Sequence, residues 1–319
     1  MRSSVLFAAR WCLATVGDRG GWRTSLGLLA LVPVLILLAA DHVAVEAEEY
    51  SAYSDPNKPA IAVILSERQN VDQFKEHFNL NDGQVDDVLA ATRRENRILA
   101  QVFGESEMVI AAYRDLPKRE IAKQIAASDY DEKVAAAVAR TKERIEAIVP
   151  EDRSADLKRW VDEQWNQEAQ AASREDFTAS DQSKGIRCKV FATQYTGYTE
   201  REVALPHRNL KFGRQPRVRI WRVGDGPSVG PKVKEIGPWN TYDNYWMREK
   251  KRTMFKRVPR CKPEAQVAYY QNFNKGKDEF GREVLNPAGV DVAPDVARSM
   301  GLEEYQNAWV YVRFPWVHR

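Results

Sequence analysis

The chain has 319 residues, 44% of them apolar, with a formal net charge of +3. This is room for two modest domains beside an export segment, with the apolar share of a globular protein. The small net charge hides an asymmetry: residues 48–180 sum to about −9 and residues 181–319 to about +11, counting Lys and Arg against Asp and Glu. The basic half favours anionic partners such as nucleic acid, an anionic membrane or the acidic polymers of a cell wall. Three cysteines without a Cys-x-x-Cys or His/Cys cluster leave no zinc site to expect.

Residues 1–24 carry Arg2, Arg10, Arg19 and Arg23 and no lysine, and an apolar run over 24–40 follows, stopped by Asp41. A positive flank, an apolar core and the small residues near Ala47 read as a signal peptide over 1–47. An uncleaved membrane anchor over 24–40 is the alternative. Either reading places the rest of the chain outside the cytoplasm, secreted or held at the membrane by that segment alone, and export argues against nucleic acid as the partner.

Residues 48–60, polar and holding Pro56 and Pro59, read as a linker. A helical domain is expected over 61–172, as three to five helices in hairpins or a small bundle. Asn81-Asp82 is a plausible N-cap pair before Val85, Val88, Leu89, Leu99 and Val102, which recur at mostly helical spacing. Val134 to Val149 is Ala-rich with Ile145 and Ile148 on one face, and Pro150 starts a helix carrying Leu157, Trp160, Val161 and Trp165. The two tryptophans are either a core seam or a partner-binding stripe. Residues 173–186 are polar without periodicity and read as a second linker.

The C-terminal half, 187–319, changes character. Val190 to Tyr195 alternates like a strand, Gly197-Tyr198-Thr199 turns, Arg217 to Val223 and Lys232 to Ile236 are strands, and Gly224-Asp225-Gly226-Pro227 is a turn signal. Short strands with Gly/Pro turns suit a small barrel. Residues 239–287 are an excursion rich in aromatic and cationic residues, a combination found on sugar- or polymer-binding surfaces. Gly289 to Val292 with Asp291, then a short helix over Ala293 to Met300, a Gly301 stop and a strand over Trp309 to Phe314 close the chain.

Three stretches carry a resemblance: Pro206-His207-Arg208-Asn209-Leu210-Lys211-Phe212-Gly213, then Glu235-Ile236-Gly237-Pro238-Trp239, then Val290-Asp291-Val292 before the Ala-containing helix. In this order and spacing they resemble the double-psi β-barrel of rare lipoprotein A and the expansins. The resemblance implies a multidomain α+β protein: helical hairpins followed by a six-stranded double-psi β-barrel from residue 187. It implies an exported protein that binds peptidoglycan-type glycan in a barrel groove and cleaves it as a lytic transglycosylase does, or binds it without turnover as an expansin does. A helical interaction protein that the barrel merely anchors is the third reading. No lipobox cysteine follows the apolar run, unlike the lipoprotein members.

By the resemblance Asp291, His207 and Glu235 are the catalytic candidates, with Trp239, Asp243, Tyr195 and Trp246 as substrate-binding candidates. Asp291 lies between two valines, a setting that raises a carboxyl pKa and suits a general acid, although an Asp here also suits a helix cap. His207 reads as a groove residue or as a surface histidine beside Pro206. Glu235 stands where the family has Asp, and Ile236 where it has Arg. Cys188 and Cys261 form one disulfide in an exported domain or are two buried thiols. No metal or organic cofactor is implied, and no Gly-x-Ser-x-Gly, phosphate-loop or His-Glu-x-x-His pattern points to another chemistry.

Overall fold

The computed structural model describes residues 50–173, 185–195, 201–224 and 226–317. The expected signal peptide or anchor, most of the second linker and the turn at 197–199 lie outside these. No helix among the described residues is long and apolar enough to cross a membrane.

Six α-helices come first: α1 (Ala60–Ile64), α2 (Arg68–Phe78), α3 (Asp82–Ala112), α4 (Lys118–Ala126), α5 (Tyr130–Glu146) and α6 (Ser154–Ser173). The expected three to five undercounts them because α1 and α4 are too short for their own periodicity to register. The N-cap of α3 is as expected: the Asn81 side chain accepts from Gln84 N at 3.0 Å, and the Gln84 side chain accepts from Asn81 N at 3.0 Å. From there α3 buries Val88, Thr92, Glu95, Leu99, Val102 and Ser106, one residue per turn, against its neighbours. Trp160 and Trp165 are core residues. Trp160 meets Phe74 of α2 edge-on at 5.0 Å, and Trp165 packs near Tyr269 and Tyr270 at 4.7 and 5.0 Å. Residues 50–59 are not a free linker. Ala52 is buried, and Ser51 and Tyr53 hold Asp162 of α6 through its side-chain oxygens at 2.7 and 3.0 Å.

The C-terminal half supplies a six-stranded mixed sheet: β1 (Ile186–Gln194), β2 (Glu202–Leu205), β3 (Arg219–Arg222), β4 (Lys232–Ile236), β5 (Ala288–Val292) and β6 (Ala308–Phe314), in the order β3-β6-β1-β5-β2-β4. The β1–β5 and β2–β4 pairs are parallel, and β1–β6, β2–β5 and β3–β6 are antiparallel. The two edges are joined by bridges Arg217↔Lys232 and Ile220↔Val229, with Val233 N donating to Pro216 O at 2.9 Å. Every residue of β5, Ala-Gly-Val-Asp-Val, is buried, its small and apolar residues flanking the one acid. Short helices α7 (Arg208–Phe212), α8 (Glu264–Gln271) and α9 (Pro294–Ser299) sit between strands. Gly301, at φ +75°, follows α9.

Residues 239–287 pack into the body of the protein. Arg252 is fully buried, donating to the carbonyls of Val258, Pro259 and Lys262 and to Asp243. Helix α8 is buried on all sides but its last residue, between α6 and β5. A single hydrophobic cluster therefore runs from α1–α6 through Trp239, Ala265 and Tyr269 to Phe191 and Ala288 of the sheet. Tyr50 to Arg319 forms one compact unit. A second cluster fills the inside of the sheet around Val190, Ile220, Val290 and Val312. Cys188 of β1 and Cys261 of the excursion form a disulfide.

Candidate active site

Asp291 lies in β5 between Thr193 of β1 and Ala204 of β2. It is 8% exposed. The Thr193 hydroxyl donates to its Oδ1, and its Oδ2 faces Gly237, where an added Cβ would come within 3.4 Å. It does not cap α9, whose N-cap is Ala293 with no side-chain bond. Burial pushes the Asp291 carboxyl up to about 7; the Thr193 hydrogen bond opposes this, and the charge of Glu107 adds to it. An acid poised there holds and releases a proton near neutral pH.

The carboxyl opens into a small cavity of about 50 Å³. The sheet side of its wall is Thr193, Gln194, Tyr195, Pro238 and Trp239; the opposite side is α3, through Asn96, Leu99, Ala100 and Phe103. Trp239 is wedged between the two. Phe103 meets its ring edge-on at 5.0 Å, and its indole N–H donates to Asn286 Oδ1 at 3.3 Å. Tyr195 donates to Glu202 at 3.1 Å, and burial raises its phenol pKa far above the usual range.

Helix α3 is fastened across this cavity at two places. At one, Arg93 pairs with Glu303 at 3.0 Å and Asn96 donates to Tyr305 O at 3.0 Å, in a loop that Gln194 also holds through Glu303 O and Gln306 O, both at 2.8 Å. At the other, the fully buried Arg282 donates to Ser106 at 2.9 Å, to Glu107, to Asp278 at 2.6 Å and to Trp239 O at 3.0 Å. Its guanidinium also lies 4.5 Å from the Phe103 ring.

Of the residues singled out in the sequence, Asp291, Trp239 and Tyr195 meet at this cavity and four do not. His207 stands at the N-cap position of α7 without a side-chain bond to the helix and packs against Tyr242 and Trp246 at 5.7 and 6.0 Å. Burial lowers its pKa, so the imidazole is neutral near pH 7. Its Nδ1 has no partner among the described residues. Glu235 lies one strand beyond Ala204 from Asp291, and its carboxylate is taken by Lys211. Asp243, 1% exposed, is held by Arg252 and by Glu264 N at 2.7 Å, which leaves no free oxygen for a ligand. Trp246 is in the sheet core, stacked on Phe314 at 4.8 Å.

Thr193, Asn96, Phe103 and Asn286 were not singled out. Thr193 sits within an alternating strand, but its partnership with Asp291 depends on a parallel pairing between segments 98 residues apart. Among the described residues, no group of three or more His, Cys, Asp and Glu is placed to hold a metal ion. A family model described as a domain of unknown function, DUF8814, matches residues 184–313. No curated protein and no solved structure matches the chain.

Proposed function

We propose that this is an exported, cell-wall-associated protein whose C-terminal sheet is a double-psi barrel, and that Asp291 is the general acid of a glycan-cleaving site. The observation that carries the reading is Asp291 itself: a buried carboxyl with a pKa of about 7, backed by Thr193 and opening beside Tyr195 and Trp239. Two parallel pairs in a six-stranded sheet with bridged edges support the barrel. In such a site the Asp291 proton passes to the glycosidic oxygen as that oxygen's bond to the anomeric carbon breaks. The same sugar's C6 hydroxyl oxygen bonds to the anomeric carbon, closing the 1,6-anhydro ring, and its proton goes to the Asp291 carboxylate, while Trp239 and Tyr195 give the sugar an aromatic wall. No metal or organic cofactor enters this chemistry.

One observation favours a second reading, glycan binding without turnover. Glu235, the second carboxylate of the resemblance, is tied to Lys211, while the cavity of about 50 Å³ beneath α3 holds no sugar ring as it stands and has to widen in either reading. In the cleaving reading α3 lifts from the sheet to admit a strand. Co-sedimentation with purified sacculi separates wall proteins from other classes: the chain is expected to pellet with sacculi, and its full recovery in the supernatant would remove both readings.

A further inference from the structure

A second, larger cavity of about 340 Å³ lies between α2, α6, α8 and the β1/β6 part of the sheet. Its wall is rich in side-chain amides: Gln69, Asn70 and Gln73 from α2, Gln164 and Gln167 from α6, and Gln266 from α8. The spacings 69/73 and 164/167 place each helical pair on one face. The charged groups of the wall are engaged inside the protein. Lys189 pairs with Glu67 at 3.4 Å, Lys262 donates to Ala172 O, and Arg260 donates to Trp246 O at 2.8 Å. Glu168 accepts from Tyr270 at 2.5 Å and from Asn70 at 3.1 Å. Gln266 differs: it is 7% exposed, and its Oε1 has no partner among the described residues. That oxygen is itself shut off from the cleft, so a ligand's donor reaches it once the amide turns outward. Half-buried Trp309 adds an aromatic surface, with the Lys189 ammonium 5.0 Å from its ring.

We infer that this cleft is a binding site for a neutral, polyhydroxylated ligand, a short oligosaccharide. Each amide offers one acceptor and two donors in a plane, the complement of neighbouring hydroxyls that both give and accept. The indole suits the apolar face of a sugar ring. The volume falls at the small end of the ~300–1,000 Å³ typical of small-molecule sites. The inference stands apart from the Asp291 reading, because the two cavities share no lining residue.

The test is calorimetric titration of the full chain with chitotetraose and cellotetraose, and with triglycine as a zwitterionic control. Saturable binding of at least one oligosaccharide and none of triglycine is expected. Gln266→Leu should weaken it at least tenfold, as should the pair Gln164→Ala with Gln167→Ala, whereas Asp291→Asn should leave it unchanged. The α6 pair is at the surface and keeps a good helix former at each position, so it reads the cleft even if Gln266→Leu fails to fold. No saturable oligosaccharide binding, binding unmoved by the α6 pair, loss of binding only in Asp291→Asn, or binding of triglycine in place of sugar would each overturn the inference. Loss of wall cleavage in Asp291→Asn leaves this titration untouched, so the two readings fail separately.

Discussion

The hydroxyl of Thr193 donates to the carboxylate of Asp291 across the parallel pairing of β1 and β5. This bond favours the charged form and holds the carboxyl below the value burial alone would give. Thr193→Val keeps the shape and removes the donor. The Asp291 pKa is expected to rise above about 7, by roughly one unit, in a carboxyl-carbon NMR titration. A fall, or no change, would mean that the hydroxyl does not serve the carboxylate.

Among the carboxyls that burial raises, four are raised furthest. Burial pushes Glu95 and Glu264 up to about 8, and Glu168 and Asp291 up to about 7. Unfolded carboxyls titrate near ~4, so between about pH 4 and pH 8 the folded chain binds more protons than the unfolded one. Stability is therefore fully present below that window and falls as pH rises through it. Thermal melts should give a higher Tm at pH 5 than at pH 8. Glu264→Gln, with a neutral side chain of nearly the same shape, should flatten part of the slope.

Arg282 ties α3 to the sheet from a fully buried position. Arg282→Met leaves Asp278 buried without its partner, a loss of about 3–5 kcal/mol in urea denaturation. The half-exposed Glu107 holds the outer side of the same guanidinium, and Glu107→Gln should cost no more than ~1 kcal/mol. Combined with Phe103→Ala, it should speed amide hydrogen exchange in the second half of α3 and leave β1 and β5 protected.

The disulfide joins residues 73 apart in sequence. In the chain-entropy model a closed loop of that size is worth about 4 kcal/mol. Cys188→Ala with Cys261→Ala should lower the denaturation midpoint accordingly, and a reductant should do the same to the parent chain alone.

Several elements were legible because they rest on local chemistry. The Asn81 cap, the strands expected over 190–195, 232–236 and 309–314, which fall on β1, β4 and β6, and the Gly301 stop follow from side-chain types and period. Asp291 between valines announced a buried acid, and Trp239 and Tyr195 proved to be its neighbours. What the sequence could not disclose is the partner of each element. Asp243 and Trp246 read as substrate-binding candidates until Arg252 is seen to occupy the one and Phe314 to stack on the other. The acidic helical half offered no sign that Asn96 and Phe103 would cover the basic half's acid, because contacts between distant segments leave no periodic trace.

The most direct measurement is digestion of purified sacculi with mass spectrometry of the soluble products, using the parent chain, the Glu107→Gln/Phe103→Ala variant and both again with Asp291→Asn. With Asp291 as general acid, anhydro-muropeptides are released, most by the variant in which α3 is loosened, and none once Asp291 is Asn. No release even from the loosened variant, or release undiminished by Asp291→Asn, would contradict the assignment of Asp291 as the acid of a glycan-cleaving site.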